Sequence, residues 1–350
     1  ACKTSEPENN VYIVLTQKDA NGKWIIRDHA ANAYRDGDII RFTDTVRMDE
    51  KAVSVTVELW LKGKYADVSW YQPHLYPCAP LGKRMVRAAA VHIKPTGRTY
   101  EANRDRLLAA VDAAAEQKAD IILLGECMYD RCIAGTYPER SETEKGRMVT
   151  LMREKAKQHN CYIIYNFHEN DNGEFYNTSL LIGRDGATVG KYRKTHLTLV
   201  ELEGGLVPGD SYPVFDTDFG RIGMLICWDQ YFSRTAEEVV KNGAEIIFVS
   251  TAGDGSHKSM ARAMDAGVYM VIAGMNAAQT AQLPYGPTRI VTPDGEVLAH
   301  TDADLTPVVA DIDLNEKQRM FWLSVGPADG EIHGIYRFEK NPDSFKGACR

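Results

Sequence analysis

Three residues stand where apolar runs give out. Glu126 closes "ADIILLGE", Lys194 closes "ATVGKYRK" and Cys227 closes "RIGMLIC". A carboxylate, an ammonium and a thiol make a coherent hydrolytic set. The carboxylate can take the thiol proton, which matters because a free cysteine has a pKa of about 8.5 and is only partly thiolate at neutral pH. The ammonium favours the thiolate and then the oxyanion of a tetrahedral intermediate. A second oxyanion donor is the backbone N–H of Trp228, at the start of a turn that passes Ser233, an N-cap type residue, into the helical run "RTAEEVVKNG".

Each member also has a plain structural reading. Free cysteines are usually packing residues. Glu126 follows an apolar run and would need a buried partner. Lys194 belongs to the basic cluster "KYRK", which could be a solvated face. Chemistry gains because all three occupy strand exits, where α/β domains gather functional side chains.

The elements that carry them change character near residue 83. Residues 11 to about 76 read as strands, with "VYIVLTQ", "KWIIR", "DIIRFTDTVRM" and "AVSVTVELWLK" separated by turns. Their β-branched and aromatic content predicts a small all-β sandwich over residues 1–82. Trp60, Trp70 and Tyr71 are expected in its core, the alternative being exposed rings that stack on a carbohydrate. "QPHLYPCAPLGKR" reads as a linker. From residue 83 to 350 strands and helices alternate. "MVRAAAVHI", the amphipathic "TYEANRDRLLAAVDAAAEQKA" with Leu107, Leu108, Val111 and Ala115 on one face, and "DIILLGE" open the series. Late hairpins close it, so a layered α/β domain with mixed sheets is predicted.

"ADIILLGE", "YNTSLLIGRDGATVGKYRKTHL" and "PGDSYPVFDTDFGRIGMLICWD" together resemble the nitrilase or carbon–nitrogen hydrolase superfamily, in the right order over roughly residues 85 to 315. The resemblance implies a four-layer α-β-β-α sandwich, a Glu126–Lys194–Cys227 triad and dimers or higher homo-oligomers through helices beside Cys227. It implies a second glutamate as well, Glu201 in preference to Glu203. "RAMD" at Arg262–Asp265 matches a further family pattern. One departure is the lack of a proline in "DQYFSRT", which bears on the shape of the nearby loop. Cys227-Trp228-Asp229 is the sequence usual for amidases and carbamoylases, whereas true nitrilases usually carry glutamate at the third position. The expected activity is therefore hydrolysis of a linear amide or N-carbamoyl group through an acyl-thioester on Cys227. A true nitrilase and an inactive binding protein are the alternatives. The N-terminal module more loosely resembles jelly-roll, galactose-binding-like domains.

Around the triad, Trp228, Tyr129, His196, Tyr231 and Asp254 are expected at the substrate, with Asp130 and His257 on the rim. Rival chemistries lack their signatures: there is no G-x-S-x-G, no HExxH and no G-x-G-x-x-G after the first strand of the α/β segment. His168 and His196 lack ligand spacing, so neither a metal nor another cofactor is expected. Net charge is −7, which gives no pull toward nucleic acid. Seven cysteines without paired CxxC spacing predict mostly free thiols. Ala1-Cys2 followed by "KTSEPENN" resembles the start of a mature bacterial lipoprotein, hence a cell-envelope location. An expression scar on a cytoplasmic protein accounts for it equally well.

Overall fold

The computed structural model describes residues 1–5, 10–30, 32–62, 67–71, 73–253, 257–275, 284–322 and 328–332. Two compact units emerge, Ala1–Lys83 with Asn315–Arg350, and Arg84–Leu314.

The first unit is all-β. Strands β1 (Cys2–Lys3), β2 (Val11–Lys18), β3 (Trp24–His29), β4 (Asn32–Asp36), β5 (Ile39–Thr43), β6 (Ser54–Leu61) and β7 (Ser69–Trp70) divide between two sheets. Phe42 and Trp70 from one sheet pack on Ile13 and Leu15 from the other. Trp60 and Tyr71 do not join that core as expected. They are 41% and 49% exposed, because these sheets are too small to cover every ring.

The second unit places β8 (Met85–His92), α1 (Tyr100–Glu116), β9 (Ile121–Leu123), α2 (Tyr137–Arg140), α3 (Arg147–His159), β10 (Tyr162–Asp171), β11 (Glu174–Ile182) and β12 (Thr188–Arg193) in its first half. There follow α4 (Leu199–Glu203), β13 (Val214–Asp216), β14 (Arg221–Ile226), a 3₁₀ turn (Cys227–Tyr231), α5 (Ser233–Lys241), β15 (Ile246–Thr251), α6 (His257–Ala266), β16 (Tyr269–Gly274), β17 (Thr288–Val291), β18 (Val297–Thr301) and β19 (Thr306–Asp313). Two six-stranded sheets result, ordered β12-β11-β10-β9-β8-β19 and β13-β14-β15-β16-β17-β18. Each has three parallel strands at its heart, β8, β9 and β10 in one and β14, β15 and β16 in the other.

Strand alternation builds the layers. Ala88 and Ala90 of β8 face the second sheet and join Met224 and Val249 in one core. Ala89 and Val91 point the other way, onto Leu107, Val111, Val149 and Met152 of α1 and α3. On the far side Ala236 and Val239 of α5 and Ala263 of α6 cover the second sheet. Gly223 lets α5 approach the strand that delivers Cys227, since a Cβ there would lie 2.1 Å from Val239 Cγ1. This is the expected four-layer α-β-β-α arrangement.

The α/β segment ends earlier than residue 350. Strands β20 (Arg319–Trp322) and β21 (Ala328–Glu331) extend the first unit's sheet, β21 running parallel to β3. A buried charge explains it: Asp28 on β3 has no exposed surface and is held by both terminal nitrogens of Arg319, at 2.5 and 2.7 Å.

Candidate active site

Glu126 stands three residues beyond the end of β9, and the chain bends sharply at Cys127, whose φ is +48°. A non-glycine residue in the left-handed region is strained, and here the surroundings hold it. Cys127 N–H donates to Asn166 Oδ1 at 2.8 Å. The Glu126 carboxylate is buried and fully engaged. Its Oε1 accepts from Lys194 Nζ at 3.0 Å and Asn177 Nδ2 at 2.9 Å, and its Oε2 from Ala252 N–H at 2.7 Å. Burial would raise its pKa, but Lys194 and then Arg131 outweigh that and hold it at about 2.

Lys194 follows β12 and is buried. Besides Glu126, its ammonium donates to both oxygens of Glu201, each at 2.9 Å. Burial lowers its pKa; Glu126, Cys227 and Glu201 more than reverse this and keep it charged. Glu201 owes its rotamer to local sequence. Thr198 caps α4, and Glu201 Oε2 accepts from the Thr198 N–H and hydroxyl at 2.8 and 2.9 Å, a capping box. Glu203 is exposed, so the structure puts Glu201 and not Glu203 on the lysine. Asn177 spans both acids, its Nδ2 lying 2.9 Å from Glu126 Oε1 and 2.8 Å from Glu201 Oε1.

Cys227 leaves β14 with φ +43° and begins the 3₁₀ turn, which aims its sulfur into the same cavity. Burial and the Glu126 charge push its thiol up to about 11, against Lys194, Thr251 and the Ala252 amide, which pull it down. At neutral pH the resting pair is a neutral thiol and a carboxylate. The cavity, about 200 Å³, holds Glu126, Lys194, Glu201, Cys227 and Asn177 together. Asp130, Arg131, Tyr137, Arg140 and His168 form its polar wall. Ser250 Oγ on β15 donates to Leu124 O at 2.8 Å and ties the strand exits of the two sheets.

The remaining predicted positions separate. Tyr129 does not line this cavity and packs in a tilted pair against Tyr100 of α1, ring centroids 4.9 Å apart. Trp228 stacks on Tyr231 at 4.2 Å, and Lys258 Nζ lies 4.2 Å over the Tyr231 ring, outside the cavity lining. His196 stacks on Phe232 at 4.1 Å and gives its N–H to Asp229 Oδ1 at 2.9 Å. That N–H serves the buried Asp229 carboxylate. Arg262 and Asp265 pair on α6 at 3.1 Å, and His257 is exposed. Asp254 lies outside the described residues. Ser233 is not a cap: α5 starts with it, and Phe232 occupies the N-cap.

His168 has neighbours that linear spacing hides. Among the described residues, one atom each of Cys127, Asp130 and His168 lies within 4.8 Å of the others, a set that could hold a metal. Each ring nitrogen already has its own partner, Nδ1 with Asp130 at 2.7 Å and Nε2 with Cys127 Sγ at 3.4 Å. Burial first, then Asp130 and Glu126, push the Cys127 thiol well up, so a cation would have to displace a tightly held proton. A hydrogen-bonded relay describes the cluster best.

Asn177, Asn166 and Arg131 escape a search for catalytic types. The signal for the two asparagines is a polar side chain in a strand that otherwise reads as buried: Asn166 in "YIIYNF" and Asn177 in "FYNTSLLI" must find partners.

A carbon–nitrogen hydrolase family model matches residues 87–320, a span that begins after the N-terminal β region. Human omega-amidase NIT2 is 32% identical over 231 residues, 61% of this chain and 84% of its own. Nit3 of Saccharomyces cerevisiae, a member of branch 10 of the nitrilase superfamily, superposes with a TM-score of 0.58 at 23% identity, covering 65% of this chain and 90% of that one. An amidase from Nesterenkonia sp. gives 0.55 at 20% identity, with 67% and 91% covered. These two structures share the fold.

Proposed function

The chain belongs to the carbon–nitrogen hydrolase family, and from that premise we propose that its 84–314 unit hydrolyses a linear amide or N-carbamoyl group through an acyl-thioester on Cys227. One observation carries the reading: a carboxylate, an ammonium and a thiol from three strand exits share one cavity, held by Asn177 and Glu201. The amidase names of two of the relatives agree with it.

Because the thiol titrates at about 11 and the carboxylate at about 2, the proton does not leave beforehand. Sulfur attacks the carbonyl carbon as Glu126 takes the Sγ proton, which avoids a free thiolate beside a carboxylate. The oxyanion is stabilised by the Lys194 ammonium and the Trp228 N–H. Glu126 then gives its proton to the amide nitrogen, the C–N bond breaks, and ammonia or an amine departs. Water attacks the thioester and passes a proton to Glu126; the acid is released and Glu126 returns that proton to sulfur. Asn177 and Glu201 keep base and ammonium in register throughout. The polar wall of Asp130, Arg131, Arg140 and His168 suits a hydrophilic acyl group.

Two further readings accompany this one. Exposed Tyr231, Phe232 and Met264, beside the nucleophile turn and on α6, support self-association through that side. Exposed Trp60 and Tyr71 suit carbohydrate stacking on the N-terminal unit.

The test is mass spectrometry of the protein quenched during turnover of amide, N-carbamoyl and nitrile panels. An acyl adduct on Cys227, with ammonia released and no turnover by Cys227→Ala, is the expected result. Turnover by Cys227→Ala, or nitriles hydrolysed faster than every amide, would overturn it.

A further inference from the structure

Asp229, two residues after the proposed nucleophile, is wholly buried. Among the described residues it has no lysine or arginine ion pair; the His196 ring lies beside it, with Nδ1 at 3.4 Å from Oδ1. A carboxylate so placed must be satisfied by hydrogen bonds, and its donors come from two places. Oδ2 accepts the N–H of Ile226, the residue before Cys227, at 2.9 Å, and the Tyr192 hydroxyl at 2.8 Å. Oδ1 accepts the N–H of His196 at 2.9 Å and the Thr195 hydroxyl at 3.2 Å. Tyr192, Thr195 and His196 flank Lys194 on both sides. One carboxylate therefore grips the nucleophile's strand end with one hand and the lysine's chain with the other.

We propose that Asp229 is a positioning residue that sets the spacing between Cys227 and Lys194, so that the sulfur and the ammonium stay aligned on one carbonyl group. The inference rests on the triad reading above and deepens it. Its chemical basis is donor direction. Hydroxyls can rotate, but backbone N–H groups cannot, and each carboxylate oxygen takes one of them. Asparagine in either flip would aim its NH₂ at a backbone N–H, and so would break the bridge at Ile226 or at His196. Glutamate keeps the charge but adds one C–C bond of about 1.5 Å, which pushes the two strand ends apart. The one-methylene difference at this position thus becomes a difference in the spacing of the catalytic groups.

The experiment compares Asp229→Asn, Asp229→Glu and Tyr192→Phe with the parent in two assays: kcat at saturating amide, and the rate of iodoacetamide alkylation at Cys227. Alkylation follows the sulfur's access and thiolate fraction and needs no aligned carbonyl, whereas acylation needs sulfur and ammonium on the same carbonyl. The expected result is kcat lower by about a hundredfold in both Asp229 variants and about tenfold in Tyr192→Phe, the scale of an ångström-sized misplacement, with alkylation within about threefold of the parent. Parental kcat in any folded variant of Asp229 would overturn the proposal. So would a parallel fall of kcat and alkylation, since Asp229 would then serve the nucleophile turn alone. If the Asp229 variants do not fold, Tyr192→Phe decides by the same two rates. Cys227→Ala runs alongside: turnover there removes the triad and this inference together, whereas an inactive Cys227→Ala beside a fully active Asp229→Asn removes only the inference.

Discussion

Replacing Glu126 by glutamine should make Cys227 a better target for simple alkylation while it stops amide turnover. In the parent the thiol sits at about 11, with burial the largest cause and the Glu126 charge next. Glutamine keeps the size and can still meet Lys194 or Asn177, but its charge is gone. Two unit charges about 5 Å apart at an effective dielectric of about 20 repel by about 3 kcal/mol, or about two pKa units, which sets the scale of the repulsion lost. The thiol would then titrate well below its parental value of about 11, and its thiolate fraction at pH 7.5 would rise about a hundredfold. A more acidic thiol is a weaker nucleophile, which gives back about tenfold, so net alkylation should be about tenfold faster. Turnover should meanwhile fall by about three orders of magnitude or more, because no base remains to move the proton. Iodoacetamide labelling from pH 6 to 10 with peptide mapping separates Cys227 from the other cysteines. If labelling of Glu126→Gln matches or lags the parent across that range, the Glu126 charge does not hold the thiol neutral, and the coupled proton transfer loses its basis.

Cys227→Ala should unfold within a few degrees of the parent by calorimetry, since little volume is removed at the cavity edge; a large loss would make it a packing cysteine. Asn177→Leu leaves two buried carboxylates short of a donor and should lower stability by about 2 kcal/mol or more and kcat by at least about tenfold, measured by urea unfolding and steady-state kinetics. Glu126 should also report on stability against pH. Its folded pKa of about 2 lies below its ordinary 4.5, so its contribution, about 3 kcal/mol, is full above 4.5 and lost as pH falls toward 2. Urea midpoints between pH 6 and 3 should fall more steeply in the parent than in Glu126→Gln, and parallel curves would refute this. A fragment of residues 84–314 should fold and hydrolyse amides; an insoluble or inert fragment would show that the first unit completes the site.

What the sequence determined by itself follows from short-range rules. Alternation and apolar runs fixed which strands are buried on both faces, and strand ends fixed where Glu126, Lys194 and Cys227 could meet solvent. The T-x-x-E of Thr198 and Glu201 is a local pattern whose capping box fixes one glutamate's rotamer in the structure. Other features depend on partners far along the chain. Tyr129 and His196 carry suitable chemistry in suitable loops, yet Tyr100 and Asp229 claim them. His168 shows no ligand spacing, yet a strand pairing brings it to Cys127 and Asp130. Arg319 looks like part of the α/β segment until the buried charge of Asp28 draws it into the first unit's sheet. In each case a buried polar group has to be satisfied, and which group answers depends on which chains the fold brings within 3 Å or so. The pattern of side chains can announce that need, but only the packed structure decides who meets it.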